Sequence, residues 1–178
     1  MKPITMKTKR LLLRRANEHD AASLFLEYFS NKESATFLTR NPHENIEQTK
    51  IFLHEWCSLP WVSDNNRWGW IIALADTNKA IGIFLVELED QKAQIHYGVS
   101  NEFSSQGIIT EAGAMIVNWL KDKKMLRQVW AVCDLENVGS KKVLEKLHFR
   151  NDGVLKNELY LPAFDAMRDC YCFVMESA

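Results

Sequence analysis

The sequence predicts a single α/β domain over residues 1–178, built on a mixed, mostly antiparallel twisted sheet of about six to seven strands with about four helices. Three observations predict it. Two early stretches repeat apolar residues at helical spacing. Three consecutive runs then switch to period two or to short apolar blocks joined by tight turns. The last third alternates strand, helix, strand, helix, strand. No repeat, linker or low-complexity segment interrupts this order, and 178 residues suffice to bury one core.

In chain order, "RLLLRRA" (10–16) opens as a strand. Apolar residues at 21, 22, 25, 26 and 29 give a helix over 17–29, with Asn17 as its cap. Residues 30–44 are polar, contain Pro42 and read as a loop. Asn45 and Gln48 resemble a capping box for a helix over 45–57 that carries Ile51, Phe52, Leu53 and Trp56. Strands follow at 67–76, 79–89 and 92–100, with "DTNK" and "EDQK" as hairpin turns. Ile108, Ala112, Met115, Ile116, Trp119 and Leu120 mark one face of a helix packed on the sheet. A strand at 127–134, a helix at 137–147 with Val143, Leu144 and Leu147 inward, and strands at 149–156 and 168–176 close the domain.

Composition excludes several function classes. The formal net charge of −1 argues against nucleic acid or an anionic membrane as partner, since both select basic surfaces. No run of 18 apolar residues is present, and "MKPITMKTKR" lacks the apolar core of a secretory signal, so a cytoplasmic location is expected. The cysteines at 57, 133, 170 and 172 form no CxxC. They read as small buried hydrophobes rather than as metal or redox sites, and no metal is expected.

The most informative stretch is "SSQGIITEAGAMIVNW" (104–119). A strand ends at Ser100, a short polar loop follows, and a helix starts near Gly107. Unpaired first-turn N–H groups and the helix dipole make such a junction an anion site. Glycine there lets phosphate oxygens reach the backbone of residues 106–110. The same glycine also suits a plain strand-to-helix turn, and one glycine does not separate the two readings.

The wider pattern does. "NEFSSQGIITEA" resembles the phosphate-loop motif of GCN5-related N-acetyltransferases (GNAT), in the RimJ/RimL-like branch that acetylates ribosomal protein N-termini; Glu102, Phe103, Gly107, Thr110, Glu111 and Ala112 match. "ENVGSKKVLEKLHF" resembles the second motif of that branch, through Asn137, Ser140, Leu144, Leu147 and Phe149. "TKRLLLRRANEHDAASLF" and "MRDCYCFVM" resemble its opening and closing segments. Ser105, His148 and Asn101 depart from the two glycines and the proline usual at those places.

The resemblance implies a GNAT fold, acetyl-CoA as cosubstrate, and a primary amine that attacks the thioester directly in a ternary complex. It assigns the pyrophosphate to the backbone of Ser105, Gln106, Gly107, Ile108, Ile109 and Thr110. The peptide-like pantetheine arm goes to the strand edge at Tyr97–Ser100, and Asn137 and Ser140 to its thiol end. Capping alone also accounts for those last two. The oxyanion donor implied is a backbone N–H, with Val99 first. His96 is the candidate base or a structural histidine; Tyr171 is the candidate acid for the leaving thiolate or a strand aromatic. Asp134, Glu87 and Glu89 are candidates to orient the amine or are surface charge. Trp56, Trp61, Trp68 and Trp70 line an acceptor site or form core. The acceptor expected is a protein N-terminal α-amine, in particular that of a ribosomal protein. A small-molecule amine such as a polyamine, and a CoA-binding module without turnover, are the alternatives.

Overall fold

The computed structural model describes residues 2–122 and 126–176. Among them are eight strands: β1 (Met6–Lys7), β2 (Leu11–Arg14), β3 (Arg67–Leu74), β4 (Ala80–Glu89), β5 (Lys92–Val99), β6 (Gln128–Asp134), β7 (Arg150–Leu161) and β8 (Ala166–Glu176). The α-helices are α1 (Asp20–Leu24), α2 (Lys32–Ala35), α3 (Ile46–Cys57), α4 (Ile108–Lys121) and α5 (Val138–Lys146). The strands form one sheet in the order β1-β2-β3-β4-β5-β6-β8-β7, antiparallel except for the β5–β6 pair. The α/β class and mixed sheet are as the sequence predicts. The extra elements are β1, of two residues, and α2, of four, both too short to show a period.

Helices cover both faces. On one, α4 and α5 pack Ile108, Ala112, Ile116, Leu120 and Leu144 against Trp68, Trp70, Phe84, Ile95 and Phe173. On the other, α1, the turn that follows it and α3 pack Leu24, Phe29, Leu53 and Cys57 against Ile71, Ile83 and Leu85. The β3–β4 register shifts after Ile72, which pairs with Gly82 while Ala73 pairs with Ala80. The extra residue is Ile81, and the bulge lets Ile81 join the first core while Ile83 faces the second.

The predicted helix over 17–29 is the main local difference. Asn17 Oδ1 accepts the His19 N–H, but α1 spans five residues and continues as a π-helical turn over Phe25–Phe29. There the Ser30 N–H donates to Phe25 O, five residues back. The buried stripe runs through Ala21, Leu24, Tyr28 and Phe29, while Ala22 and Leu26 are exposed, Leu26 to 72%. The predicted caps of the later helices are formed: Asn45 Oδ1 accepts from the Gln48 N–H, and Asn137 Oδ1 from the Ser140 N–H. All four cysteines are free. No helix among the described residues is long and apolar enough to cross a membrane.

Candidate active site

β5 pairs with β6 only from Lys92–Gln128 to Gln94–Trp130. Beyond Gln94 the two strands part, while β4–β5 and β6–β8 stay paired along the length of β5 and β6. The gap opens into a cleft of about 650 Å³. The Ser100 N–H donates to Ile81 O, so the alternation of antiparallel bonding turns the N–H groups of Gly98 and His96 toward β4. Those of Tyr97 and Val99 then face the gap, an edge with open donors and acceptors suited to an amide-bearing chain.

At the end of this edge the chain turns into α4. Ser105 and Gly107 both adopt left-handed backbone, φ 60° and 74°. The first bond of α4 is Glu111 N–H to Gly107 O, so the N–H groups of Ile108, Ile109 and Thr110 have no partner within the helix. A Cβ on Gly107 would meet only Arg10 Nη2, at 3.7 Å, so it is the backbone angle that favours glycine here. Ser105, Gly107, Ile108, Ile109 and Thr110 line the cleft; Gln106 does not. Its side chain turns back to donate to Glu102 O, and its carbonyl accepts from Arg10 Nη1. Glu111 accepts from the Thr8 hydroxyl and from the Arg10 N–H and Nε, which ties the loop to β1 and β2. Lys79 holds Glu102 and lies over the Phe103 ring, while Asn101 donates to Glu33 of α2. Arg10, Thr8 and Lys79 were not singled out in the sequence, because each meets the loop from a distant segment.

Across the gap, Asn137 and Ser140 line the cleft at the start of α5. Asn137 is engaged as the helix cap, and Ser140 Oγ lies 2.9 Å from the Tyr97 hydroxyl. Tyr97 thus braces β5 against α5, and burial holds its phenol protonated well above the usual range. Cys133 lines the same stretch, its thiol pushed up to about 11 chiefly by burial. Lys142 and Lys146, one helical turn apart, add two cations to this wall. A net charge near zero concealed them.

Side-chain parity on β5 splits the cleft. Tyr97 and Val99 face α4 and α5, whereas His96 and Gly98 face α1 and α2. No bulge interrupts the β4–β5 register, so this parity holds to the strand end. The His96 ring is open to the cleft but surrounded by its walls. That crowding lowers its pKa, with Glu87 opposing, and leaves it neutral at pH 7. Its ring nitrogens have no hydrogen-bond partner among the described residues. Opposite, the Tyr28 hydroxyl presses on Gly98, where a Cβ would lie 1.9 Å from it. Phe37 meets Phe164 of the β7–β8 turn, ring centroids 6.0 Å apart, and Leu159 of β7 also lines the cleft. Glu33 is the sole carboxylate among the described lining residues.

Several candidates are not at the site. Tyr171 pairs with Cys133 on the far side of β6, packs edge-on against Phe173 and lies under Lys141; it does not line the cleft. Full-length β6–β8 pairing places β6 between it and the gap. Asp134 is buried and bound by Arg168 at 2.8 Å, and Glu87 pairs with Arg67. Glu89 lies at the far end of β4, where it pairs with Lys92. Trp68 and Trp70 are core, Trp61 donates to Gly69 O, and Trp56 stacks on Phe52; none lines the cleft. Among the described residues no cluster of His, Cys, Asp and Glu is placed to hold a metal ion.

Comparison with known proteins agrees with this geometry. Residues 10–150 match the family model described as an acetyltransferase (GNAT) domain. The uncharacterized N-acetyltransferase YoaA of Bacillus subtilis (strain 168) is 29% identical over 158 residues, 87% of this chain and 88% of that protein. Among solved structures, RimL, the ribosomal L7/L12 alpha-N-protein acetyltransferase in complex with coenzyme A, superposes with TM-score 0.80 at 20% identity, covering 97% of this chain and 98% of its own. Spermidine N-acetyltransferase from Vibrio cholerae, in complex with CoA and spermine, gives TM-score 0.78 at 14% identity, covering 96% and 97%. At such identities the structures speak to the fold alone. The family match spans most of the chain, and the splayed strands, with helix N–H groups that lack an intrahelical partner at their mouth, fit a long phosphorylated thioester. This chain therefore belongs to the GNAT family and is an acetyl-CoA-dependent N-acetyltransferase.

Proposed function

We propose that the domain acetylates the α-amine of a protein N-terminus in the cytoplasm, as a RimJ/RimL-like enzyme whose substrate class includes ribosomal proteins. One observation carries the choice of acceptor: among the described residues, the acceptor face offers a single neutral base, His96, and a single carboxylate, Glu33, already engaged by Asn101 at 2.7 Å. A polyamine presents several cations and calls for several carboxylates. An α-amine, with a pKa of about 7.7–8.0, needs only a weak base.

In this reading the N–H groups of residues 105–110 hold the pyrophosphate, with Lys142 and Lys146 adding charge. The edges of Tyr97 and Val99 take the pantetheine amides. Bound acetyl-CoA supplies the thioester carbonyl. The Val99 N–H donates to its oxygen as negative charge develops, a fixed donor whose loss typically costs about 2.7–4 kcal/mol. His96, on the face from which the amine arrives, accepts the amine proton directly or through one water. The amine nitrogen bonds to the carbonyl carbon, the C–S bond then breaks and the thiolate takes a proton. Tyr171 lies away from the cleft, so the proton comes from the Ser140 hydroxyl side or from solvent.

Mass spectrometry of protein N-termini in cells with and without the protein tests the reading. Loss of α-acetylation at a defined set of N-termini is expected. An unchanged N-terminal profile with a changed pool of acetylated polyamines overturns it.

A further inference from the structure

The acceptor face holds a polar group on a nearly buried residue that the mechanism does not use. Tyr28, at the π-helical turn after α1, is 3% exposed, yet it lines the cleft and its hydroxyl rests on Gly98, two residues from His96 and on the same face of β5. Its polar neighbour is Arg40. The guanidinium carbon lies 5.7 Å from the centre of the Tyr28 ring and 4.8 Å from that of Phe29. Arg40 Nη1 donates to the Phe29 and Asn41 carbonyls, while Nη2 is buried with no well-aligned partner. An arginine only donates, so toward Arg40 the phenol oxygen serves as acceptor. The phenol's own proton finds no acceptor among the described residues. The hydroxyl opens into the cleft, where an acceptor on a bound ligand can take its proton. Burial raises the phenol pKa and Arg40 opposes the rise, so the proton is retained at neutral pH.

We propose that Tyr28 is a specificity-determining residue: its hydroxyl donates to the carbonyl oxygen adjacent to the acceptor α-amine. The inference rests on the α-amine reading above and deepens it. An N-terminal residue carries that carbonyl beside its amine. A protonated polyamine offers only further N–H donors and brings positive charge toward Arg40. Tyr28 and Arg40 thus favour one class and disfavour the other. Gly98 makes the arrangement possible, since any side chain there would displace the hydroxyl.

The test uses the purified protein, saturating acetyl-CoA and two acceptors. One is a lysine-free peptide with a free N-terminus; the other is the same peptide with its first amide replaced by a trans-alkene, which keeps shape and removes the carbonyl. Wild type and Tyr28→Phe are compared on both, so that intrinsic amine reactivity cancels. Tyr28→Phe is expected to lower kcat/KM for the peptide by about 10- to 100-fold, the effect of deleting one buried hydrogen bond. The alkene is expected to be turned over within about threefold by both proteins, with the KM for acetyl-CoA unchanged. An equal loss on both acceptors, or no loss on the peptide, overturns the proposal. Where the variant does not fold, wild type decides alone, with kcat/KM taken per neutral amine from a pH series so that the higher pKa of the alkene's amine is removed: discrimination of about tenfold or more against the alkene supports the role, and equal turnover contradicts it. Normal peptide turnover without coupling to Tyr28 defeats this inference only. Absence of peptide turnover by wild type defeats the α-amine reading with it.

Discussion

The two halves of the cleft are built in opposite ways. On the side facing α4 and α5, main-chain N–H groups of β5 and of the first turn of α4 come from one continuous stretch, 97–110, and the side chains of α5 that join them, among them Lys142 and Lys146, come from one helix. On the side facing α1 and α2, the groups are side chains drawn from separate segments: Tyr28, Glu33 and Phe37, then His96, then Leu159 and Phe164. A backbone site tolerates changes of residue type as long as the turn keeps its dihedral angles. Ser105 shows this by taking φ 60° where the family usually has glycine. A side-chain site is remade by any one substitution. The half read as the coenzyme side thus tolerates changes of residue type, and the half read as the acceptor side is the one that single substitutions alter most.

The comparison breaks most visibly at Gly107. Gly107→Glu places bulk and negative charge on a left-handed residue at the anion site, and acetyl-CoA is expected to lose its stabilising effect altogether. In wild type that effect is about 2.7 kcal/mol at a hundredfold excess over Kd. Thermal melts with and without acetyl-CoA read the result, and a variant that keeps the shift removes the loop from the site. Gly98→Ala strikes the other half. Its Cβ would fall 1.9 Å from the Tyr28 hydroxyl, so the ring must move. Overpacking of about 1–3 kcal/mol is expected, together with a fall of about tenfold or more in kcat/KM for the amine and an unchanged Kd for acetyl-CoA. A parallel loss of coenzyme binding means that the halves are not separable.

His96 tests the acceptor half through pH. Its pKa is depressed by its surroundings, so it is neutral and competent at pH 7 and becomes protonated only below the ordinary histidine value of about 6.5. The logarithm of kcat/KM should therefore be flat near neutrality in this group and fall as pH drops below that value. His96→Ala should lower the plateau by about 10²–10⁴-fold and abolish that limb. The same limb in the variant returns His96 to a structural role.

The smallest effects concern backbone alone. His148 follows α5 at φ 64°; its N–H bonds Glu145 O while the Phe149 N–H bonds Leu144 O, a helix end that favours glycine. Left-handed backbone costs a residue with a Cβ about 1–2 kcal/mol, partly offset by the greater unfolded-state freedom of glycine. His148→Gly and Ser105→Gly should each stabilise the protein by about 0.5–1 kcal/mol in urea titrations. Destabilisation at Ser105 would show that its side chain holds the loop.

What was legible in the sequence follows the same division. The loop and α4 were readable because Gly107, the polar run before it and the apolar face after it are neighbours, each obeying a local rule. The caps at Asn45 and Asn137 were readable for the same reason. Tyr28 on Gly98, Arg10 on Gln106 and Lys79 on Glu102 were not, since each contact joins residues about 25 to 100 positions apart and leaves no periodic trace. Tyr171 reads from the sequence as a candidate acid or a strand aromatic, and only the register of β8 against β6 puts it beyond β6, away from the cleft. The apolar spacing over 17–29 includes Ala22 and Leu26, yet both are exposed, because the buried stripe runs through Ala21, Leu24 and Tyr28.

The central claim is the α-amine acceptor, and competition between amines tests it most directly. Three acceptors are offered at pH 7 with acetyl-CoA: a lysine-free peptide with a free N-terminus, the same length of peptide with a blocked N-terminus and one internal lysine, and spermidine. An α-amine is neutral in about one molecule in ten and a lysine amine in fewer than about one in a thousand. With His96 as a weak base, the free N-terminus should be favoured by about a hundredfold or more. Equal or faster acetylation of the lysine peptide, or turnover confined to spermidine, would contradict the account.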